Sequence, residues 1–274
     1  MTSYSKASGH FLLAAVLLGS LSACGGGGGG GTSDPVGVPV LNFTDPYPGD
    51  STETLAVLGL DTSGTPGTTA QTGTFNQNSN RITGSDLAGD TNSSLTFSDL
   101  TGGGRVLFST PNGQRFSRIF DNTGTGGSSL GVVGMVPRTT DVPGSNTVTY
   151  SGSSVVSIAD SSGVFDLAGT ASVTANFGTG NVDVTLGSLS GTQQVTGGAT
   201  NAVNNVTTVS ITGATISGAG FSGGAVSATG FNTSGTQSHE GSFFGNSGVQ
   251  EAGGVVAVDG STTDILGLYL TNRN

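Results

Sequence analysis

Apolar and polar residues alternate along most of the second half of the chain. Over Val164–Phe177 one phase reads Phe165, Leu167, Gly169, Ala171, Val173, Ala175 and Phe177. The other reads Asp166, Ala168, Thr170, Ser172, Thr174 and Asn176. A period of two sends one set to each face of a strand, and a helix does not produce it. Gly178-Thr179-Gly180-Asn181 then turns the chain. Val182, Val184 and Leu186 return as a partner strand, so the pattern predicts a long hairpin. Further strands are predicted at Thr147–Val156, Val206–Ile216, Gly220–Thr229, His239–Gly245, Gly253–Val258 and Ile265–Thr271. The phase slips near Gly213, between Ile211 and Ala214, which predicts a bulge. About eight strands in roughly 130 residues, with small residues on the inner phase, fit an eight-stranded antiparallel up-and-down β-barrel. Closure also removes the exposed edges of an open sheet.

The first half carries shorter strand patterns. They fall at Thr54–Leu60, Gly73–Asn76, Ser94–Leu100, Arg105–Thr110, Arg115–Phe120 and Leu130–Val136, each bounded by Gly, Asn, Asp or Pro. Thr62–Thr72 and Asp121–Ser129 read as loops. Val136–Asn146 is rich in turn residues and is the predicted boundary between two units. The fold class is therefore all-β, with a small β subdomain over 53–140 and a barrel over 141–274. No repeat of fixed period is present, which argues against a solenoid or β-helix.

The N-terminus has a different pattern. Lys6 precedes the apolar stretch Phe11–Leu18, which is too short to span a bilayer and is predicted to be an export signal over 1–23. Leu21-Ser22-Ala23-Cys24 follows, and it resembles the bacterial lipobox: an apolar residue, two small residues and the cysteine that receives lipid. Two or three acyl chains on Cys24 anchor firmly, whereas one chain holds only marginally. Gly25–Gly31 is an unbroken glycine run, and prolines 35, 39, 46 and 48 follow it, so 24–52 is predicted to be a tether. The glycine run alone reaches on the order of 15 Å. Position 25 is not aspartate, so the predicted destination is the bacterial outer membrane.

Composition narrows the chemistry. The 274 residues include 50 glycines and no tryptophan, and only 9% are charged. Beyond Cys24 there are six arginines against 17 acidic residues, a net charge of −11, and no lysine. An acidic surface argues against nucleic acid as a partner. Cys24 is the only cysteine, so the body can form neither a disulfide nor a thiolate metal site. His239 is the only histidine beyond the signal, and no nucleophile-elbow pattern accompanies it. Asp121-Asn122-Thr123-Gly124 and Asp160-Ser161-Ser162-Gly163 read as turns, because neither has the carboxylate density of a calcium loop. No catalytic residue, metal or cofactor is expected. Arg105, Arg115 and Arg118 lie close in sequence and form a candidate cationic patch for a partner.

Gly241-Ser242-Phe243-Phe244-Gly245, followed by Glu251-Ala252-Gly253-Gly254-Val255-Val256-Ala257, resembles the closing signature of the transferrin-binding protein B-like β-barrel family. Thr149-Tyr150-Ser151-Gly152 and the hairpin around Asn176-Phe177-Gly178 are similar to other strands of that domain. Two departures are visible: Asn246 stands where proline is usual, and the loop before Glu251 is about one residue longer than the family pattern. Physically, Phe243 and Phe244 are predicted to plug one barrel end. Gly245, Gly253 and Gly254 permit a tight crossing, and Glu251 accepts amides of its own loop. The resemblance implies a surface lipoprotein with a handle-like subdomain that binds an external protein or small ligand, with iron or nutrient acquisition as one setting. An outer-membrane receptor or an export barrel would be a further partner. The alternative is a structural or adhesive outer-membrane lipoprotein without a soluble ligand.

Overall fold

A computed structural model of the chain describes residues 52–61, 65–76, 81–83, 105–124 and 127–274. The predicted signal, Cys24, most of the tether and the predicted strand Ser94–Leu100 lie outside the described residues.

The C-terminal half is the barrel that the alternation predicts. Its strands are β7 (Thr147–Asp160), β8 (Gly163–Asn176), β9 (Asn181–Val195), β10 (Thr200–Val203) and β11 (Val209–Ser217). The remainder are β12 (Gly220–Ser222), β13 (Ala225–Ala228), β14 (Gly235–Phe244), β15 (Glu251–Gly260) and β16 (Asp264–Arg273). Antiparallel neighbours run β9-β8-β7-β16-β15-β14-β12-β11. Then β11 pairs back onto β9 through Val209↔Leu186, Ile211↔Val184 and Ala214↔Val182, so eight strands close a ring. The inner phase of β8 is buried at Phe165, Leu167, Ala171, Val173 and Ala175. The register of β11 against β9 shifts between Ile211 and Ala214, as predicted. Gly213 at the shift has φ +72, and its N–H donates to Asp183 Oδ1 at 2.8 Å.

The predicted strand Gly220–Thr229 is two strands. Gly223 and Gly224 have φ +72 and +88 and break it, a conformation that L side chains resist. The first piece, β12, pairs with β14, whereas the second, β13, pairs with β11 alone. The Gln237 side chain crosses the remaining gap to the β13 backbone. Val226 N–H donates to Gln237 Oε1 at 2.9 Å, and Gln237 Nε2–H donates to Val226 O at 3.0 Å. One side-chain amide thus stands in for the missing peptide of the ladder.

The first half forms a six-stranded antiparallel sheet. It contains β1 (Thr52–Asp61), β2 (Gly67–Asn76), β3 (Arg81–Thr83), β4 (Arg105–Ser109), β5 (Ser117–Gly124) and β6 (Gly127–Met135). The order is β3-β2-β1-β6-β5-β4. Two predicted loops are strand instead. β2 begins at Gly67, within the Thr62–Thr72 segment, and β5 and β6 pair down to Gly124↔Gly127 within Asp121–Ser129. A three-residue 3-10 helix, Thr139–Asp141, lies in the turn-rich connection to the barrel.

The sheet packs against the outside of the barrel, so β15, β16 and parts of β7 and β14 are covered on both faces. Inside the barrel sit Val156, Val256, Val258, Ile265 and Tyr269. Their sequence neighbours Val155, Val255, Ala257, Leu266 and Leu268 face the sheet, in one cluster with Val132 and Ile119. This explains why β15 and β16 read as nearly continuous apolar runs rather than alternating ones.

Candidate functional site

The junction between sheet and barrel gathers most of the residues that the closing signature picks out. Phe243 and Phe244 do not plug the barrel together, because adjacent residues of a strand point to opposite faces. Phe243 is inside, with its ring centroid 4.9 Å from that of Phe221 and 5.1 Å from that of Phe177. Phe244 is outside, in the cluster shared with the sheet, and a Cβ on Gly134 of β6 would collide with its ring.

Glu251 serves a different segment from the one predicted. Its carboxylate takes no amide from its own loop. Oε1 accepts from Arg115 N at 2.6 Å and from Phe116 N at 3.2 Å, and Oε2 accepts from Ser117 Oγ at 2.5 Å. These donors open β5, so one barrel side chain holds the start of a sheet strand. Burial pushes the Glu251 carboxyl above the usual carboxylate range, against the pull of those three donors and of nearby Arg118. Around it, Asn272 Nδ2 donates to Asn112 O at 2.8 Å, and Gly245 N donates to Met135 O at 3.1 Å.

The three signature glycines and Gly241 have separate steric roles. Gly241 faces inward, where a Cβ would overlap the Phe221 ring. Gly254 also faces inward, where a Cβ would lie 2.5 Å from Tyr269 Oη. Gly253 faces the sheet, 3.1 Å from Val132 Cγ1 on the same measure. Gly245 has φ +155, and the backbone of Gly248 occupies the space a Cβ would need.

The room left by Gly254 lets Tyr269 reach His239. Tyr269 Oη lies 2.8 Å from His239 Nε2, and His239 Nδ1 lies 3.1 Å from Gly223 O. A carbonyl only accepts, so Nδ1 carries the proton and Nε2 accepts from the tyrosine hydroxyl. Both side chains are buried. Burial lowers the His239 pKa to about 4, so the ring is neutral at pH 7. The pair satisfies its own polar atoms inside a barrel filled by side chains.

The three arginines of the predicted patch stand at different places along the sheet backbone. Arg118 Nη1 donates to Gln114 O at 2.9 Å and to Ser117 O at 2.7 Å, next to Glu251. Its role is to brace the junction. Arg115 is exposed, with its guanidinium carbon 5.7 Å from the Phe116 ring centroid. Arg105 pairs with Thr123, five residues along β5 from Arg118. That is about 17 Å of strand.

Sequence reasoning missed the cleft beside this junction. To one side of their shared core the sheet and the barrel stand apart. On that side a cleft of about 620 Å³ separates β1 and β2 from β12 and β14. Its lining includes Ala56, Leu58 and Ala70 of the sheet and Gly220, Ser222 and Glu240 of the barrel. Glu240 is half-buried, and burial raises its pKa above the ordinary carboxylate range. Its carboxylate makes no hydrogen bond or ion pair with any described residue. Among the described residues no group of three or more His, Cys, Asp or Glu is placed to hold a metal ion.

Residues 142–273 match the family of C-lobe and N-lobe β-barrels of Tf-binding protein B. Over those residues, just under half of the chain, the barrel is similar to the barrels of that family. Three solved structures show the range of similarity. Transferrin-binding protein B from Haemophilus parasuis Hp5, a double mutant, is 16% identical. The alignment covers 62% of this chain and 37% of that one, with a TM-score of 0.42. Intact Ap-TbpB, with its N and C lobes, is 14% identical over 80% of this chain and 46% of that one, with a TM-score of 0.46. The structure of HpuA from Kingella denitrificans in complex with human haemoglobin is 15% identical over 87% and 95%, with a TM-score of 0.42. The alignments thus cover less than half the length of these two transferrin-binding protein B chains. No curated protein matches it.

Proposed function

We propose that this chain is an outer-membrane lipoprotein, anchored through lipid on Cys24, whose β body stands outside the cell and captures an external protein or small ligand. The observation that carries this reading is the family match of the barrel over residues 142–273. Leu21-Ser22-Ala23-Cys24 and the seven glycines after it supply the anchor and the reach such a role needs. Iron or nutrient acquisition is the setting, and a membrane receptor that takes over the captured ligand is the partner this implies. The chain acts by binding, without a catalytic step. His239, the one histidine of the body, is committed to Tyr269 and Gly223 in the barrel interior and offers no base to a substrate.

The test is affinity capture with the chain from residue 32 onward, incubated in the organism's natural medium and read by mass spectrometry. The reading predicts saturable enrichment of a specific external protein or carrier, and no turnover of it. A clean blank across host proteins and iron carriers contradicts it.

A further inference from the structure

The cleft between sheet and barrel has a chemistry independent of the proposed capture role. Its volume, about 620 Å³, falls in the range of small-molecule sites, roughly 300–1,000 Å³. The side chains around it are small: Ala56, Ala70, Ala219, Gly220 and Ser222 stand where a filled interface would need bulk. Leu58 adds an apolar floor. Among the described residues of the lining Glu240 is the only ionisable one, and no cationic side chain joins it. A half-buried carboxylate without a partner keeps a desolvation cost that an opposite charge would offset. Ser242 is already turned outward as an acceptor, because its hydroxyl proton is used on the main-chain oxygen of Phe243 or Ala219, at 3.1 and 3.3 Å. The cleft thus presents one negative charge and hydroxyl oxygens on its barrel wall, and on its sheet wall the apolar Ala56, Leu58 and Ala70 beside Thr54, Gln71 and Thr72. The chain beyond residue 24 has no lysine to fill it.

We propose that this cleft binds a small organic cation, an alkylammonium or alkylguanidinium, with its charged head on Glu240 and its apolar stem along Ala56, Leu58 and Ala70. An anion finds no cationic side chain among the described residues of the lining. A neutral alkyl chain would leave the carboxylate uncompensated.

The experiment is isothermal titration of the full chain at pH 8 with n-pentylammonium and with agmatine, using 1-pentanol as the neutral control with the same stem. Saturable one-site binding of at least one cation, tenfold or more tighter than pentanol, is the expected result. Glu240→Gln is isosteric and relieves a buried charge, so it folds, and it is expected to weaken the cation at least tenfold. Ala70→Phe fills the cleft without touching Glu240 and is expected to abolish binding. Circular dichroism matching the wild type confirms that both variants fold, and either variant alone suffices for the test. No saturable binding of either cation up to about 10 mM, well above the range expected of ligands this small, overturns the proposal. So does equal binding of pentanol, or unchanged cation affinity in a folded variant.

Discussion

Replacing Glu251 by alanine tests how sheet and barrel are joined. The carboxylate accepts from two backbone N–H groups and one hydroxyl at the start of β5. Phe116 N–H and Ser117 O–H are buried, and Arg115 N–H is partly buried. A buried donor left without an acceptor costs about 1–3 kcal/mol. The Ser117 hydroxyl can rotate to another acceptor, so the two amides dominate and the loss is about 2–5 kcal/mol. Alanine also removes a desolvated charge, which trims the figure to about 2–4 kcal/mol. In a chain of this size that lowers Tm by about 5–15 °C. Glu251→Gln keeps one acceptor oxygen for the amides and is expected to cost only about 1–2 kcal/mol. The assay is urea denaturation of both variants, with hydrogen exchange resolved along the chain. The amides of Arg115 and Phe116 are expected to lose protection first, while β8 and β9 keep theirs. An E251A midpoint within error of the wild type, or equal loss of protection in β8, would refute the reasoning.

Other predictions follow from the same geometry. Gly241→Ala pushes a methyl into the Phe221 ring and Gly254→Ala pushes one at Tyr269 Oη, so each is expected to cost about 1–3 kcal/mol in chemical denaturation. Tyr269→Phe removes the donor to His239 Nε2 and should cost about 1 kcal/mol, with the change visible in the imidazole nitrogen shifts. The His239 pKa is lowered to about 4 in the fold, against about 6.5 when unfolded. Between those values the unfolded chain takes up the proton first, so stability is full above about pH 6.5 and falls as pH drops toward 4. The difference between wild type and His239→Gln should therefore narrow by up to about 3 kcal/mol over that window, read as denaturant midpoints against pH.

The barrel was legible because its strands are half-buried. β8 shows alternation over its whole length, and the slip at Gly213 marks one bulge, whereas the second register shift, of β9 against β8 at Ala168/Thr170, was not read. Where both faces are buried the signal changes, and β15 and β16 show as apolar runs whose two environments the sequence does not separate. β2 was hidden because Gly67–Thr72 is built of Gly, Thr, Ala and Gln, without a large apolar residue to mark a buried phase. Gly223-Gly224 was read as part of a strand, because one sequence does not show which glycines take positive φ. Glu251 was recognised as an acceptor from its place in the closing signature. Its donors, 134–136 residues away, depend on how the sheet docks, which no local pattern encodes. The cleft was invisible for the same reason: it arises where two units dock, and its lining comes from five strands.

The proposed capture role requires the β body to stand where its ligand is, held by lipid on Cys24. Protease treatment of intact cells, combined with palmitate labelling of the wild type and of Cys24→Ala, measures both requirements at once. The account predicts a labelled wild-type chain whose β body is removed by external protease, and an unlabelled C24A chain that leaves the membrane fraction. A body protected from protease in intact cells, or a C24A chain that still partitions with membranes, would contradict it.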